Sequence, residues 1–233
     1  MNIKNLIEQE INDLWLNFSD LDICKTPPLS INEIPDSGII FIGINPSLSN
    51  KERERLSNLR NRNCEFYELT YDENVDYRYF KKFFEVAKQT EMEWGHLDLL
   101  YCRETNQNSV KRLLNTERGK DFIYKQCMIT KRVLNKIIDE NRPRVFVVTN
   151  TFARDLLGRY RKPNHPKNEN EWWINFDFVW DDNLGTYLYK NNPFFFTSML
   201  TGQRALDNGS FERLIWHIDK VKKDYLSNYS SIS

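Results

Sequence analysis

Four short apolar runs, separated by helical patterns, constrain the fold of this chain more strongly than any other feature. The runs cover residues 39–44, 97–101, 145–149 and 193–197. Each run is short and carries few charges, as is typical of strands that are covered on both faces. Because helical patterns lie between the runs, the sequence predicts a parallel sheet with helices on both of its faces.

Helical spacing marks the segments outside and between these runs. Residues 1–20 carry apolar side chains three and four positions apart, and residues 211–226 show the same pattern. Gly158 follows the apolar stretch 152–157 directly, which predicts a helix that ends at this glycine. The sequence therefore predicts an amphipathic helix near each end of the chain and further helices between the strands.

The expected fold is a three-layer α/β/α domain with a central four-stranded parallel sheet, an N-terminal helix and a small β-hairpin insertion. The hairpin is predicted at residues 174–190, where polar and apolar residues alternate on both sides of a turn. We expect a single domain over residues 1–233, with its core at 37–226, since single domains commonly reach this length.

Composition excludes some classes of protein. The chain has 33 Lys and Arg and 33 Asp and Glu, so its formal net charge is zero. A protein that coats nucleic acid without specificity would be basic, although a local basic face remains compatible with this balance. The apolar runs are too short to span a bilayer, and the acidic N-terminal segment is unlike a signal peptide. We therefore expect a cytoplasmic monomer without a membrane partner.

Polar segments follow the predicted strands directly. They are residues 43–49, 102–108, 150–151 and 198–208. In open parallel sheets, ligands bind outside the carboxyl ends of the strands. The sequence therefore places the candidate site in these four segments.

The segment after the first predicted strand reads Gly-Ile-Asn-Pro-Ser from Gly43 to Ser47. It resembles the Gly-Ile-Asn-Pro-Gly motif of mismatch-specific uracil-DNA and thymine-DNA glycosylases, with Ser47 in place of the last glycine. Residues 79–84 look like the aromatic start of the helix that follows this loop in that family. On these residues, the chain resembles the uracil-DNA glycosylase superfamily.

Three later segments carry the same resemblance. Residues 98–103 look like the Asn-Val-Val-Lys-Cys-Arg stretch of iron–sulfur uracil-DNA glycosylases. Residues 148–154 are similar to the third strand of the superfamily and the start of its next helix, and residues 198–204 fall where its second active-site motif lies. The resemblance therefore runs from the first strand to the last, and the order of the elements is its best support.

The resemblance implies a DNA-base glycosylase for repair by base excision, with DNA as partner. Such an enzyme flips a damaged or mismatched base, uracil being the default, into a pocket and cuts its N-glycosidic bond. Asn45 matches the residue that positions the attacking water, which an amide can do by hydrogen bonding although it is no strong base. The expected base pocket consists of Gly43, Ile44, Pro46, Ser47, Asp98, Ser198 and Met199.

The last predicted loop is expected to contact DNA. Leu200 or Gln203 is the candidate wedge that enters the duplex, and Arg204 is the candidate phosphate ligand. Gly202 anchors the alignment of this loop with the family motif. The alternative is that Arg204 pairs with Asp207 and only shapes the loop.

Two departures from the family concern the chemistry of the site. Residues 197–204 contain no histidine, which many superfamily members use to stabilise the leaving base. Asp98 stands where iron–sulfur enzymes have an asparagine that reads uracil. An ionised carboxylate only accepts hydrogen bonds, so Asp98 would repel O4 of uracil unless it were protonated. The alternative is a buried aspartate with a structural role.

No cofactor or metal is expected. Cys102 matches one cluster ligand of the iron–sulfur enzymes and Cys127 is a candidate for another, but their N-terminal cysteine pair is missing. The remaining alternatives are a non-catalytic member of the fold that binds nucleic acid or a nucleotide, and a small-molecule hydrolase on a similar sheet.

Overall fold

The computed structural model describes residues 1–57, 65–67, 78–158, 173–202 and 205–226. Its α-helices are α1 (Lys4–Asn17), α2 (Asn50–Ser57), α3 (Arg78–Thr90), α4 (Gln107–Arg112), α5 (Glu117–Asp139), α6 (Thr151–Leu157) and α7 (Asn208–Asp224). Its strands are β1 (Leu29–Ile31), β2 (Gly38–Gly43), β3 (Glu65–Tyr67), β4 (Trp94–Asp98), β5 (Arg144–Val148), β6 (Val179–Asp181), β7 (Thr186–Tyr189) and β8 (Asn192–Phe196). Among these residues, no helix is both long enough and apolar enough to cross a membrane.

A six-stranded, mostly parallel sheet organises the chain, in the order β4-β2-β5-β8-β7-β6. Strands β4, β2, β5 and β8 run parallel, whereas β7 runs antiparallel to both β8 and β6. The prediction of a mixed α/β fold with a mainly parallel sheet is therefore confirmed. A separate pair, β1 and β3, is also parallel.

The prediction of a four-stranded sheet with an inserted hairpin is wrong in the number of strands. The hairpin strands β6 and β7 are hydrogen-bonded into the main sheet, because β7 turns directly into β8. Lys190 and Asn191, the two residues of that turn, both have positive φ angles, 47° and 61°. Two-residue turns with positive φ at both positions match the twist of antiparallel strands, and they connect strands that are adjacent in a sheet. The hairpin is therefore the edge of the sheet.

Strand β4 lies three residues earlier than the apolar run that predicted it at 97–101. The strand begins at Trp94 and includes Gly95 and His96, which break the apolar pattern although both are buried. Leu99 and the two residues after it are fully buried, which explains the apolar run, but they follow the end of the strand. As a result Asp98 is the last residue of β4, at the carboxyl edge.

The two faces of the sheet bury different sets of helices. On one face, alternate strand residues such as Ile40, Ile42, Phe146 and Val148 pack with residues of α1, α5 and α6. On the other face, Ile39, Phe41, Val145 and Val147 pack with residues of α3 and α7. Because four parallel strands end at one edge, the residues that follow β2, β4, β5 and β8 are brought together there.

Candidate functional site

Gly43 and Asp98 end neighbouring strands and lie side by side in the register of the sheet. A Cβ atom on Gly43 would lie 2.3 Å from Asp98 Oδ1 and 3.0 Å from His96 Nε2. A contact of 2.3 Å is far inside van der Waals distance, so no larger residue can stand at position 43 unless the carboxyl moves. Glycine is therefore required here, because the Asp98 side chain lies across it.

His96 lies beneath this carboxyl on the same face of β4. The imidazole is almost fully buried, and its Nε2 lies 3.5 Å from Asp98 Oδ1. The rings of Tyr79, Phe80 and Phe83 on α3 surround it at centroid distances of 5.8, 5.4 and 5.7 Å. Burial lowers the pKa of His96 from 6.5 to about 3, so the ring is neutral at physiological pH.

Asp98 occupies the most unusual electrostatic position of the site. Its side chain is 8% exposed. Burial raises the pKa of this carboxyl from 3.8 to about 8, because a buried charge loses its hydration. At neutral pH Asp98 is therefore mostly protonated, and a protonated carboxyl offers one hydrogen-bond donor beside one acceptor.

Tyr79 on α3 packs against the strand ends. Its hydroxyl faces the side chains of Thr149 and Asp98, and burial together with the Asp98 carboxyl raises the pKa of the phenol above its usual range. Thr149 follows β5 and donates from Oγ1 to the carbonyl of Ile42 on β2 at 3.2 Å. Although the hydroxyl points inward, Tyr79 as a whole is 38% exposed, so solvent still reaches the ring.

Asn45 is held in one orientation by the backbone around it. Its Nδ2 donates to the carbonyl oxygens of Pro46, Cys102 and Glu104 at 3.0, 3.2 and 2.7 Å. Three acceptors on one side oblige the amide nitrogen to face them, because the amide oxygen would be repelled there. Among the described residues, none donates to Asn45 Oδ1. The oxygen of this half-buried side chain is therefore available as an acceptor.

Buried polar side chains stabilise the backbone that Asn45 contacts. Gln126 on α5 is fully buried, and its Oε1 accepts from the N–H groups of Tyr101 and Cys102 at 2.8 and 3.2 Å. Arg103, also buried, pairs with Glu52 on α2 at 2.6 Å. Buried polar groups with good partners hold a backbone in one conformation, so the segment after β4 is a rigid support.

The other residues predicted for the base pocket divide into two groups. Ile44 and Pro46 are buried and Ser47 is exposed in the loop after β2. After β8, Ser198 is exposed and Met199 is half-buried. The fold thus places all of these residues after two strands of the same parallel set, with Ser47 and Ser198 open to solvent.

The loop predicted to contact DNA shows one residue in an unexpected place. Leu200 is only 4% exposed and packs in the cluster that contains Phe211 and Leu214 of α7. To act as a wedge, it would have to leave that cluster. Gly202 adopts a φ of 93°, a conformation that favours glycine. Gln203 and Arg204 lie outside the described residues, so the predictions for them stay predictions.

The cysteines have environments that disfavour thiolates. Cys24, Cys102 and Cys127 are buried, and burial raises the pKa values of Cys102 and Cys127 above their usual range. Cys64 lies outside the described residues. In the part of the chain that the structure describes, no group of three or more His, Cys, Asp or Glu side chains could hold a metal ion.

The sequence names Asn45, Gly43 and Asp98 as candidate site residues, and three neighbours of Asp98 are not among its candidates. His96 is separated from Asp98 by one residue, and alternation along a strand puts both side chains on one face. This alternation points to His96, but the apolar run at 97–101 predicts a strand that begins only after His96. Tyr79 and Thr149 come together only through the packing of α3 on the sheet.

Comparisons of the chain with protein-family models, with curated proteins and with solved structures find no match. The geometry and chemistry of the site are therefore the basis for any functional conclusion.

Proposed function

We propose that this chain is a DNA-base glycosylase of the uracil-DNA glycosylase type, with a three-layer α/β/α core built on β4, β2, β5 and β8. It hydrolyses the N-glycosidic bond of uracil or of another damaged or mismatched base. The observation that carries the proposal is the orientation of Asn45. Its nitrogen is committed to three carbonyls, and its oxygen is left to accept a hydrogen bond from water.

Asn45 acts by positioning. A water that donates one hydrogen to Asn45 Oδ1 has its oxygen lone pairs directed away from the amide, toward C1′ of a sugar placed over the strand ends. As the bond from C1′ to the base nitrogen breaks, the sugar develops oxocarbenium character and the water oxygen bonds to C1′. The base leaves with the bonding electrons, and the water releases a proton to solvent.

Asp98 supplies the group that faces the base. Because burial keeps the carboxyl protonated at neutral pH, it presents a donor and an acceptor side by side, as an amide does. A protonated Asp98 can therefore donate a hydrogen bond to a carbonyl of uracil, which an ionised aspartate would repel. A donor near that carbonyl also stabilises the negative charge that the departing base acquires.

A second candidate function has one observation in its favour. Two of the three hydrogen bonds that orient Asn45, those to Cys102 and Glu104, also tie the loop after β2 to the segment after β4. An asparagine with this purely structural task would suit a non-catalytic protein that binds nucleic acid or a nucleotide at the same edge. The two functions differ in whether Asn45 contributes to a chemical step.

The test is single-turnover cleavage of a panel of oligonucleotides, each with one modified or mismatched base, scored for abasic sites. Asn45→Ala should lower the rate on the best substrate by roughly 10²-fold, as loss of a positioning group does. Gln126→Leu is the matched control, because Gln126 supports the same segment from a fully buried position. Both variants should lose stability, but only Asn45→Ala should lose the additional rate.

Equal rate losses in the two variants at matched stability would assign Asn45 a structural role. Binding of the oligonucleotides without cleavage of any of them would favour the non-catalytic alternative. If the protein neither binds nor cleaves any oligonucleotide, the glycosylase proposal is wrong and a small-molecule substrate becomes the better hypothesis.

A further inference from the structure

Asn150 is a second asparagine at the carboxyl edge of the sheet, and the mechanism above makes no use of it. It lies two residues after the end of β5. The preceding residue, Thr149, donates from its backbone N–H to the carbonyl of Ile42 on β2 at 2.9 Å. Asn150 is only 8% exposed. Because a buried polar side chain needs hydrogen-bond partners, both ends of this amide have to be accounted for.

The oxygen of the Asn150 amide is fully occupied. Oδ1 accepts from the backbone N–H groups of Phe152 and Ala153 at 2.8 and 3.2 Å, which caps α6. It also accepts from Nε2 of Gln107, the first residue of α4, at 3.0 Å. Two backbone donors oblige the oxygen to face α6, because the amide nitrogen would be repelled there. The orientation of the amide is therefore fixed.

The nitrogen of the Asn150 amide is directed away from these bonds. Among the described residues, none accepts a hydrogen bond from Nδ2, although this nitrogen carries two hydrogens. A donor in a nearly buried side chain costs free energy when the protein offers it no acceptor. An oxygen on a ligand would recover that cost.

Asn150 and Asn45 are bonded to the same segment of the chain, the one that follows β4. Asn45 donates to the carbonyls of Cys102 and Glu104, and Gln107 donates to Asn150. Glu104 and Gln107 are three residues apart, a span of about 11 Å at most. The two asparagines have opposite polarity, since Asn45 commits its nitrogen and offers an acceptor, whereas Asn150 commits its oxygen and offers a donor.

We infer that Asn150 is a substrate-binding residue whose Nδ2 donates a hydrogen bond to an oxygen of the substrate. The inference rests on the proposed function and adds a donor to the acceptor that Asn45 supplies. The oxygen belongs either to the leaving base or to the sugar–phosphate backbone. Donation to the base would stabilise the negative charge that develops as the base departs, and donation to the backbone would hold the nucleotide in place.

Two substitutions remove the amide donor and keep the cap of α6. Asn150→Asp retains the capping oxygen, and Asn150→Ser supplies an uncharged hydroxyl oxygen in its place, since Asn, Asp and Ser are all favoured at this position of a helix. Asn106→Asp is the matched control, because Asn106 is exposed and caps the neighbouring helix α4 through its own side-chain oxygen. The control adds the same charge at the same edge without removing a buried donor.

We expect both Asn150 variants to lower the single-turnover rate on the best oligonucleotide by about tenfold, the size of one hydrogen bond. Asn106→Asp should lose much less, because its amide nitrogen is on the surface. Urea unfolding should leave the variants close to the unmodified protein in stability, since each keeps a cap. If the buried charge of Asn150→Asp destabilises the fold, the uncharged Asn150→Ser decides the result.

Two further measurements identify the oxygen that accepts the bond. Fluorouracil leaves more readily than uracil, because fluorine withdraws electrons, so a donor that stabilises the departing base matters less for it. A smaller rate loss on fluorouracil, with unchanged binding of an oligonucleotide that carries a tetrahydrofuran abasic analogue, assigns the bond to the base. Equal rate losses with weaker binding of the abasic analogue assign it to the backbone.

The outcomes separate this inference from the glycosylase proposal. If the unmodified protein neither cleaves nor binds any oligonucleotide, the proposed function fails and the inference falls with it. If it binds without cleaving, affinity replaces rate as the measurement. Loss in both Asn150 variants at unchanged stability, but not in Asn106→Asp, supports the inference, because all three variants keep a cap.

Two results would overturn the inference while the glycosylase proposal stands. If the unmodified protein cleaves and both Asn150 variants keep their rates, Asn150 only caps α6. If Asn150→Asp and Asn106→Asp lose rate equally and Asn150→Ser keeps it, the loss is an effect of added charge and not of a missing donor.

Discussion

The segments that follow β2 and β4 differ from the loop that follows β8 in what holds them. After β2 and β4, side chains bond the backbone: the half-buried Asn45 donates to three carbonyls, and the buried Gln126 accepts from two N–H groups. After β8, between Met199 and Leu206, the described hydrogen bonds join backbone to backbone, as from Leu206 to Met199 and from Ala205 to Gly202. Leu200 adds only apolar packing.

This difference indicates that the two parts of this edge of the sheet have different roles. Side-chain networks in a low-dielectric interior hold groups in one arrangement, which suits positioned chemistry. Backbone turns with one apolar anchor allow several arrangements at similar cost. We therefore expect Asn45, His96 and Asp98 to keep their places when a ligand binds, and the loop after β8 to adjust. The predictions that follow test this contrast, from the largest effect to the smallest.

Gly43→Ala should have the largest effect. The new Cβ would lie 2.3 Å from Asp98 Oδ1, so the buried carboxyl or the end of the strand must move. We expect a loss of about 3 kcal/mol in the free energy of unfolding, at the upper end for overpacking. Cleavage should be abolished at temperatures where the variant is still folded. Urea unfolding and single-turnover assays measure the two effects.

A double substitution shows whether the cost of Gly43→Ala comes from the clash with Asp98 or from another requirement for glycine at this position. In Gly43→Ala with Asp98→Ala, the nearest clashing atom is gone and the next contact, His96 Nε2, lies at 3.0 Å. The double variant should therefore be destabilised by less than the sum of the two single variants. Strict additivity would contradict the contact between Gly43 and Asp98.

Leu200→Ala should have the next largest effect and probes the other loop. Leu200 is 4% exposed among residues of α7, so its truncation should cost about 2 kcal/mol of stability. The affinity for an undamaged duplex should hardly change. Stability measured by urea and affinity measured by titration distinguish a core residue from a wedge. Weaker binding at unchanged stability would favour the wedge and contradict the packing seen here.

The buried carboxyl should make stability depend on pH. Asp98 keeps its proton up to about pH 8 when folded and releases it near 3.8 when unfolded, so its contribution to stability is lost as pH rises between these values. His96, with a pKa of about 3 when folded and 6.5 when unfolded, acts in the opposite direction below pH 6.5. The two effects oppose each other below 6.5, and only that of Asp98 remains above it.

Between pH 6.5 and 8 the free energy of unfolding should therefore fall by about 1 kcal/mol per pH unit. Asp98→Asn is the matched control, since its amide has a similar shape and does not titrate. That variant should show a flat profile in this window and should keep the loss of stability below pH 6.5 that His96 causes. A flat profile in the unmodified protein would mean that Asp98 is ionised in the folded state.

The comparison of the two loops also shows what the sequence could predict. Apolar runs and helical spacing predicted the strand-helix alternation, since burial on both faces of a sheet leaves a readable pattern. The strand that contains His96 begins three residues earlier than the apolar run predicts, because Gly95 and His96 interrupt the apolar pattern. The Gly-Ile-Asn-Pro segment predicted Asn45 and Gly43, which lie within a few residues of each other.

The rest of the site depends on contacts between distant parts of the chain. Gln126 supports Tyr101 from 25 residues away, and nothing in its neighbourhood along the chain indicates this role. The approach of Tyr79 to Thr149 and Asp98 likewise requires α3 to pack on the sheet. The burial of Leu200 depends on α7, so an apolar residue in a loop could be read equally as a wedge or as core.

Gly202→Ala should have the smallest effect and sharpens the contrast with Gly43. Gly202 has a φ of 93°, but a Cβ there would meet only Met199 Cε at 3.7 Å, an ordinary contact. The cost is therefore backbone strain alone, about 1 kcal/mol. Gly202→Asn should cost less, because asparagine tolerates positive φ better than alanine. If the loop after β8 adjusts as we expect, both variants should cleave within a few-fold of the unmodified protein. A loss of stability as large as that of Gly43→Ala would show that the loop is held as tightly as the ends of β2 and β4.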